Sequence, residues 1–247
     1  MKHKRFVPTH EEQLINRFLA ASPTLPSSPR HDAHDLTLRE VDCSQGRADV
    51  MRVLFRDPPA SNRAGELGRV MGLPSGAALL AALQAAPRTA SYLSERTGLS
   101  GRTTRQRLLQ LEAAGLAERT GPWCYRRTPL VDQVAEVEIW SFEAKVDKWK
   151  RALYQAMQYR GFSHRSFVVL PADRARVALE KLDRFRGLGI GLVTVYNTEG
   201  LRVVLQPRRA APFSRALFFL ALGRAYEALS SDRRQRAKRT ESIRPVA

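Results

Sequence analysis

Cysteine is nearly absent from this 247-residue chain, which has two, Cys43 and Cys124. Two cannot build a disulfide framework, and five scattered histidines offer no zinc-ligand spacing. Long apolar runs are missing too. Even a run as long as Ala216 to Leu222 falls far short of the roughly 20 residues needed to span a bilayer. Met1 to Phe6 is basic, but no apolar stretch follows it, so no secretory signal is expected and a cytoplasmic location is. Acids are scarce beside bases: 24 Asp plus Glu against 41 Lys plus Arg, a net charge of +17. That surplus attracts polyanions, because each neutralised phosphate releases counterions. An anionic membrane would need an amphipathic anchor, which the sequence does not offer, so nucleic acid is the expected partner.

The chain reads as two kinds of sequence. A helix is predicted over 10–21, with Leu14, Ile15, Phe18 and Leu19 at helical spacing and Thr9 as N-cap. A loop covers Ser22 to Pro29. Strands follow at 36–43 and 47–55 around the turn Ser44-Gln45-Gly46, and Asp57 to Asn62 breaks the pattern. Residues from about 76 to 128 read as a separate helical unit with two short strands at 116–120 and 123–127. Strand chemistry returns at 134–146, then a helix at 147–160, a strand at 166–170, a helix at 174–186, and strands at 190–196 and 201–206. A last helix is expected over 213–229. The domain reading is therefore an α/β domain made of 1–60 and 131–229, interrupted by a module at 61–130, with a basic disordered tail at 230–247.

Three short patterns carry chemistry. Gly46-Arg47-Ala48-Asp49 opens the second strand. Glu143-Ala144-Lys145 lies near the end of the strand after the insertion, where alternation puts Glu143 and Lys145 on one side. Gln155 and Tyr159 are four apart on the next helix, hence on one face. Carboxylates from two neighbouring strands can hold a hard divalent cation. Such an ion acidifies a bound water and stabilises charge on an attacked phosphate. A lysine two residues away can orient that water or neutralise the developing charge.

These residues resemble the PD-(D/E)XK nuclease superfamily, whose restriction-endonuclease-like core runs helix, three strands, helix, strand. By that resemblance Asp49 matches the motif aspartate, and Glu143 and Lys145 match E-x-K. Gln155 and Tyr159 are similar to the Q-x-x-x-Y element of the RecB-like branch. The resemblance also implies a glutamate on the first helix, Glu11 with Glu12 close behind. It implies Mg2+ or Mn2+ held by Asp49, Glu143 and Ala144. The Gly-Arg-x-Asp wording further resembles the nuclease domain of archaeal and actinobacterial mismatch endonucleases. Ala48 stands where the motif has proline. The span from Asp49 to Glu143 is also much longer than usual, and the inserted module must account for it.

Residues 88–116 resemble the helix-turn-helix of MarR- and ArsR-type regulators. Gly98 suits the turn, Leu93, Leu99, Leu108 and Leu111 supply a small core, and Gly115 ends the second helix. Arg102, Thr103, Arg105 and Gln106 lie where such a helix enters the major groove, with Arg107 beside them. Arg126 and Arg127 sit where a wing touches phosphate. Residues 76–130 hold eight arginines and three glutamates, which favours DNA. The basic tail, Arg233 to Arg239, could add phosphate contacts.

The expectation is a metal-dependent deoxyribonuclease, cytoplasmic and nucleoid-associated, acting in repair, recombination or defence. A DNA-binding regulator or scaffold with a non-cutting nuclease-like domain is the alternative, and an RNA-processing nuclease stays open, as does a homodimer.

Overall fold

Strand alternation decides where the core lies. The computed structural model describes residues 10–25, 34–44, 46–196 and 200–242, of which His34 and 232–242 are described by backbone alone. The chain divides into two compact units, one of 1–54 with 138–213 and another of 55–137 with 214–247.

The first unit is α/β. In chain order it contains α1 (Glu11–Ala21), a 3-10 turn (Ser22–Thr24), β1 (His34–Asp42) and β2 (Arg47–Phe55), whose last residue already belongs to the second unit. The second unit then supplies α2 (Ser61–Met71), α3 (Pro74–Ala82), β3 (Arg88–Thr89), α4 (Ala90–Thr97), α5 (Gly101–Ala113), β4 (Ala117–Gly121), β5 (Cys124–Arg127) and α6 (Leu130–Val134). The chain returns through β6 (Val137–Ala144), α7 (Trp149–Tyr159), β7 (Arg165–Pro171), α8 (Arg176–Leu179), α9 (Leu182–Leu188), β8 (Ile190–Val195) and β9 (Leu201–Leu205). It closes with α10 (Arg215–Ser242).

The large sheet is mixed, six strands in the order β1-β2-β6-β7-β8-β9. β6, β7 and β8 run parallel and β9 antiparallel to β8. The parallel pairs need crossovers, which α7 and the α8–α9 pair provide. On one face Trp140, Phe142, Phe167, Val169 and Val193 pack with Leu14, Ile15 and Phe18 of α1. On the other, Val168, Leu170, Ile190 and Leu192 pack with Leu153 and Ala156 of α7 and Phe185 of α9. Burial on both faces explains why these strands read as continuous apolar runs. Three buried hydroxyls tie β6 to β7: Ser141 Oγ lies 2.9 Å from both Ser163 Oγ and Ser166 Oγ. Ser163 also donates to the Tyr159 carbonyl at 2.8 Å.

The second unit is helical around a three-stranded sheet of order β3-β5-β4. Thr89 caps α4 by accepting from Tyr92 N, and Ser100 caps α5 by accepting from Thr103 N. Gly98 ends α4 in the left-handed region at φ 70. Leu93, Leu108, Leu111 and Tyr125 are fully buried, whereas Leu99 is half-buried.

Several expectations need correction. The break expected over 57–62 ends by Ala60, because Ser61–Met71 is a helix whose Ala64, Leu67, Val70 and Met71 form a buried face. The separate unit therefore starts at 55 and runs to 137, not from 61 to 130. It is no simple insertion either, since it includes α10. Phe219, Leu222, Ala225 and Tyr226 are buried, and Tyr226 donates to the Val134 carbonyl at 2.8 Å. The backbones approach closely there: a Cβ on Gly223 would lie 2.2 Å from Gly72 N. The expected disordered tail is helical to Ser242, since Arg, Lys, Ala and Gln favour helix. The helix expected over 174–186 is two short ones. His10, not Thr9, is the N-cap of α1. Thr9, Gln45, residues 26–29 and residues 243–247 lie outside the described residues, and the side chains of Arg233 to Arg239 are not described. Neither Cys43 nor Cys124 is in a disulfide. Among the described residues no helix is long and apolar enough to cross a membrane.

Candidate active site

The site lies at the carboxyl end of β6, where strand, neighbouring strand and two helices meet. β2 and β6 are adjacent in the sheet. Asp49, half-buried in β2, accepts the amide N–H of Ala144 through Oδ2 at 2.8 Å. Glu143, 1% exposed, points to the α7 face opposite Phe142 and Ala144. Its Oε2 is 2.6 Å from Tyr159 Oη, and Tyr159 Oη is also 2.8 Å from the Arg47 carbonyl. Tyrosine has one proton, so it can donate to only one of these acceptors at a time. A protonated Glu143 would resolve the conflict by donating to Tyr159 while Tyr159 donates to Arg47.

Lys145 follows the end of β6 and continues the ladder, its N–H donating to the Val169 carbonyl at 3.1 Å. Its ammonium stands between two carboxylates. Nζ is 2.8 Å from Glu11 Oε2 and 3.0 Å from Glu143 Oε1. The second contact is an ion pair outside hydrogen-bond angles, so Glu143 Oε1 is buried with a lone pair to spare. Gln155, one turn before Tyr159, likewise has a buried side-chain oxygen with no hydrogen-bond partner. Gly46 makes the arrangement feasible: at φ 141 it lies against the tyrosine ring, and a Cβ there would come within 3.1 Å of Tyr159 Cε1.

Electrostatics follow from burial. Asp49 is pushed up from the ordinary carboxylate range chiefly by desolvation, which outweighs the Ala144 hydrogen bond and the Lys145 charge. Glu143 is pushed up by desolvation first and then by the Asp49 charge, against the Tyr159 and Lys145 contacts. Burial would lower Lys145, but the Glu11 hydrogen bond and the nearby Glu143 carboxylate win, and the net shift is upward. Tyr159 is raised by burial and by Glu143. The lysine is thus held cationic beside two carboxylates that resist becoming anionic together.

Of the residues singled out in the sequence, Asp49, Glu143, Ala144, Lys145, Tyr159 and Glu11 are joined by direct contacts; Gln155 is one helical turn away. Glu11 rather than Glu12 reaches the lysine. Among the described residues, no three His, Cys, Asp or Glu side chains form a ready metal cluster. Two carboxylates nevertheless suit Mg2+ or Mn2+, which keep several waters and need no all-protein cage. Glu143 Oε1, buried beside the Lys145 ammonium without a hydrogen-bond partner, suits such an ion as a ligand.

The helical unit distributes its sequence-predicted residues unevenly. Arg102, Arg105 and Gln106 are exposed on α5. Thr103 is half-buried and occupied at the cap, its Oγ1 2.9 Å from Ser100 Oγ. Arg107 is half-buried and bonded to Ser75 and Gln110. Arg126 pairs with Glu118 at 2.9 Å and Arg127 with Asp132 at 3.2 Å. Thr103, Arg126 and Arg127 are therefore already partnered within the unit. The sequence reading missed the roles of Gly46 and of the Arg47 carbonyl; for Gly46 the available signal was a glycine next to a turn. Compared with protein-family models, with curated proteins and with solved structures, the chain matches none.

Proposed function

We propose that this chain is a metal-dependent deoxyribonuclease of the PD-(D/E)XK type, whose second unit is a winged-helix module that recruits DNA. One observation carries the reading: Asp49 on β2 accepts from the Ala144 amide, between Glu143 and Lys145, so two distant stretches of sequence come together at the end of β6. Asp49 and Glu143, with the main chain of Ala144, would hold Mg2+ or Mn2+. When bound, that ion supplies an acidified water and charge neutralisation at the attacked phosphate.

The chain's own residues do the rest. Lys145, fixed by Glu11 and Glu143, presents a cation that can orient the attacking water or neutralise negative charge growing on the phosphate. Tyr159, its hydroxyl within reach of both Glu143 and the Arg47 carbonyl, steadies the Glu143 carboxylate by donating to it. Gln155 offers an acceptor for a water or an amino group. The exposed Arg102, Arg105 and Gln106, on a chain of net charge +17, suit a major-groove approach. Repair, recombination or defence, and association with the nucleoid, are the settings such an enzyme would serve.

The test is cleavage of single-stranded, duplex and forked DNA by the purified protein with magnesium or manganese. Asp49→Ala and Lys145→Ala each cut cleavage by roughly 100-fold or more and leave DNA binding nearly intact. Unchanged cleavage in both variants would reject the site. Binding without any cleavage by the native protein would favour a regulator or scaffold, and preference for RNA an RNA-processing enzyme.

A further inference from the structure

Among the described aromatics, Trp123 alone combines an exposed ring with a left-handed backbone. It lies in the turn between β4 and β5, 44% exposed, with φ at 54. A bulky residue adopts that backbone only at a cost, and little burial of its ring offsets the cost. The turn is not loose. The Trp123 carbonyl accepts from Ala90 N at 2.8 Å, and Cys124 pairs with Thr89 across the β3–β5 ladder.

Two guanidinium groups lie over the ring, Arg105 at 5.4 Å and Arg119 at 5.8 Å from its centroid. They differ in freedom. Arg119 is held by Glu112 at 2.9 Å and also rests over Tyr125. Arg105, exposed on α5, has the Trp123 ring alone among the described residues. Beside the ring opens a cleft of about 420 Å3, lined by Thr89, Ser91, Glu95 and Arg105 among others. Ser91 and Glu95 are exposed there, a hydroxyl and a carboxylate able to bond the edge of a base.

We propose that Trp123 is a stacking platform for an unpaired nucleobase, so that the DNA this unit takes carries a single-stranded segment. The proposal rests on reading the unit as a DNA-binding module. A base lies on the indole in place of the Arg105 guanidinium, which turns to the adjacent phosphate, while Arg119 holds the ring from its fixed position. A base inside a duplex cannot do this, because both its faces are already stacked. Flat aromatic area, positive charge at its rim and edge-reading groups beside it are the components of single-strand recognition.

The experiment measures fluorescence anisotropy with the full chain in EDTA, so that no cleavage intervenes. The probes are oligothymidylate, a blunt duplex and a fork with the same duplex sequence. Trp123→Ala should bind oligothymidylate and the fork about tenfold more weakly and the blunt duplex within about twofold of native. Trp123→Phe should keep most of the affinity, and its smaller fluorescence quenching by oligothymidylate, compared with native, reports the ring directly even if the alanine variant misfolds. Equal loss on all three probes, or loss on none, would overturn the proposal and leave the ring to a protein partner. Native protein that binds none of the probes overturns it together with the DNA reading. The predicted pattern in a protein whose cleavage ignores Asp49 upholds it and removes only the nuclease assignment.

Discussion

Asp49 and Ala144 are 95 positions apart in sequence and joined by a 2.8 Å hydrogen bond from the Ala144 amide to the Asp49 carboxylate. An asparagine could accept the same bond without the charge. Because Asp49 and Glu143 are both shifted upward, the folded chain binds protons more tightly than the unfolded chain between the ordinary carboxylate range and the raised values. Stability therefore falls as pH rises through that window and stays lower above it. Asp49→Asn removes part of this penalty and lightens that on Glu143. Its melting temperature should exceed the native value at pH 8, with the gap closing towards about pH 3, below the usual carboxylate range. Thermal melts across pH check this, and coincident native and variant curves would contradict the account.

Lys145 and Glu11 should separate in rate. Lys145→Ala removes the cation itself, and a loss of roughly 100- to 1000-fold in turnover matches the removal of one charge-stabilising donor. Glu11→Gln leaves the ammonium paired with Glu143 and only loosens its position, so a loss near tenfold is expected, with a cleavage pH profile that moves with the lysine. Single-turnover cleavage of a labelled duplex reads both. Equal losses would mean that Glu11 does more than position its neighbour.

On the helical unit, exposure predicts energetics. Arg102→Ala should weaken duplex binding and lower the salt slope by about one phosphate contact if its guanidinium lies on the backbone. Arg126→Ala should do less, because Arg126 is already committed to Glu118. Titrations between low and moderate salt distinguish them. A larger effect at Arg126 would place the contact surface on the strands rather than on α5.

Packing in the second unit offers a stability test. Gly223→Ala would put a methyl group 2.2 Å from the Gly72 amide nitrogen, a backbone atom that cannot swing away. Separating α2 from α10 should cost roughly 1–3 kcal/mol or more, the range of overpacked cores. Urea unfolding measures it, and an unaffected midpoint would mean that the helices part freely.

What was legible in the sequence was local. Spacing two within a strand put Glu143 and Lys145 on one side, and spacing four put Gln155 and Tyr159 on one helical face. Strands at 47–55 and 190–195 are visible because Val, Ile and Leu crowd them. What was not legible depended on partners. The Pro58-Pro59 pair hid the start of α2, although its four apolar residues already had helical spacing. Nothing in residues 213–229 reveals that their apolar side chains bury with α2 and α3 rather than on the large sheet. Thr103, Arg126 and Arg127 looked available until their neighbours in space were known.

The path of the backbone has a consequence for biosynthesis. The chain passes between units three times, near 54, 137 and 213, so neither unit is contiguous. As residues leave the ribosome, β2 must wait for β6, and α2 must wait still longer for α10. A truncation at 213 would leave the apolar side of α2 without its helical cover, and excising 61–130 would likewise strip α10 of α2 and α3. Nascent chains of this protein should therefore depend on holding chaperones until α10 has been made.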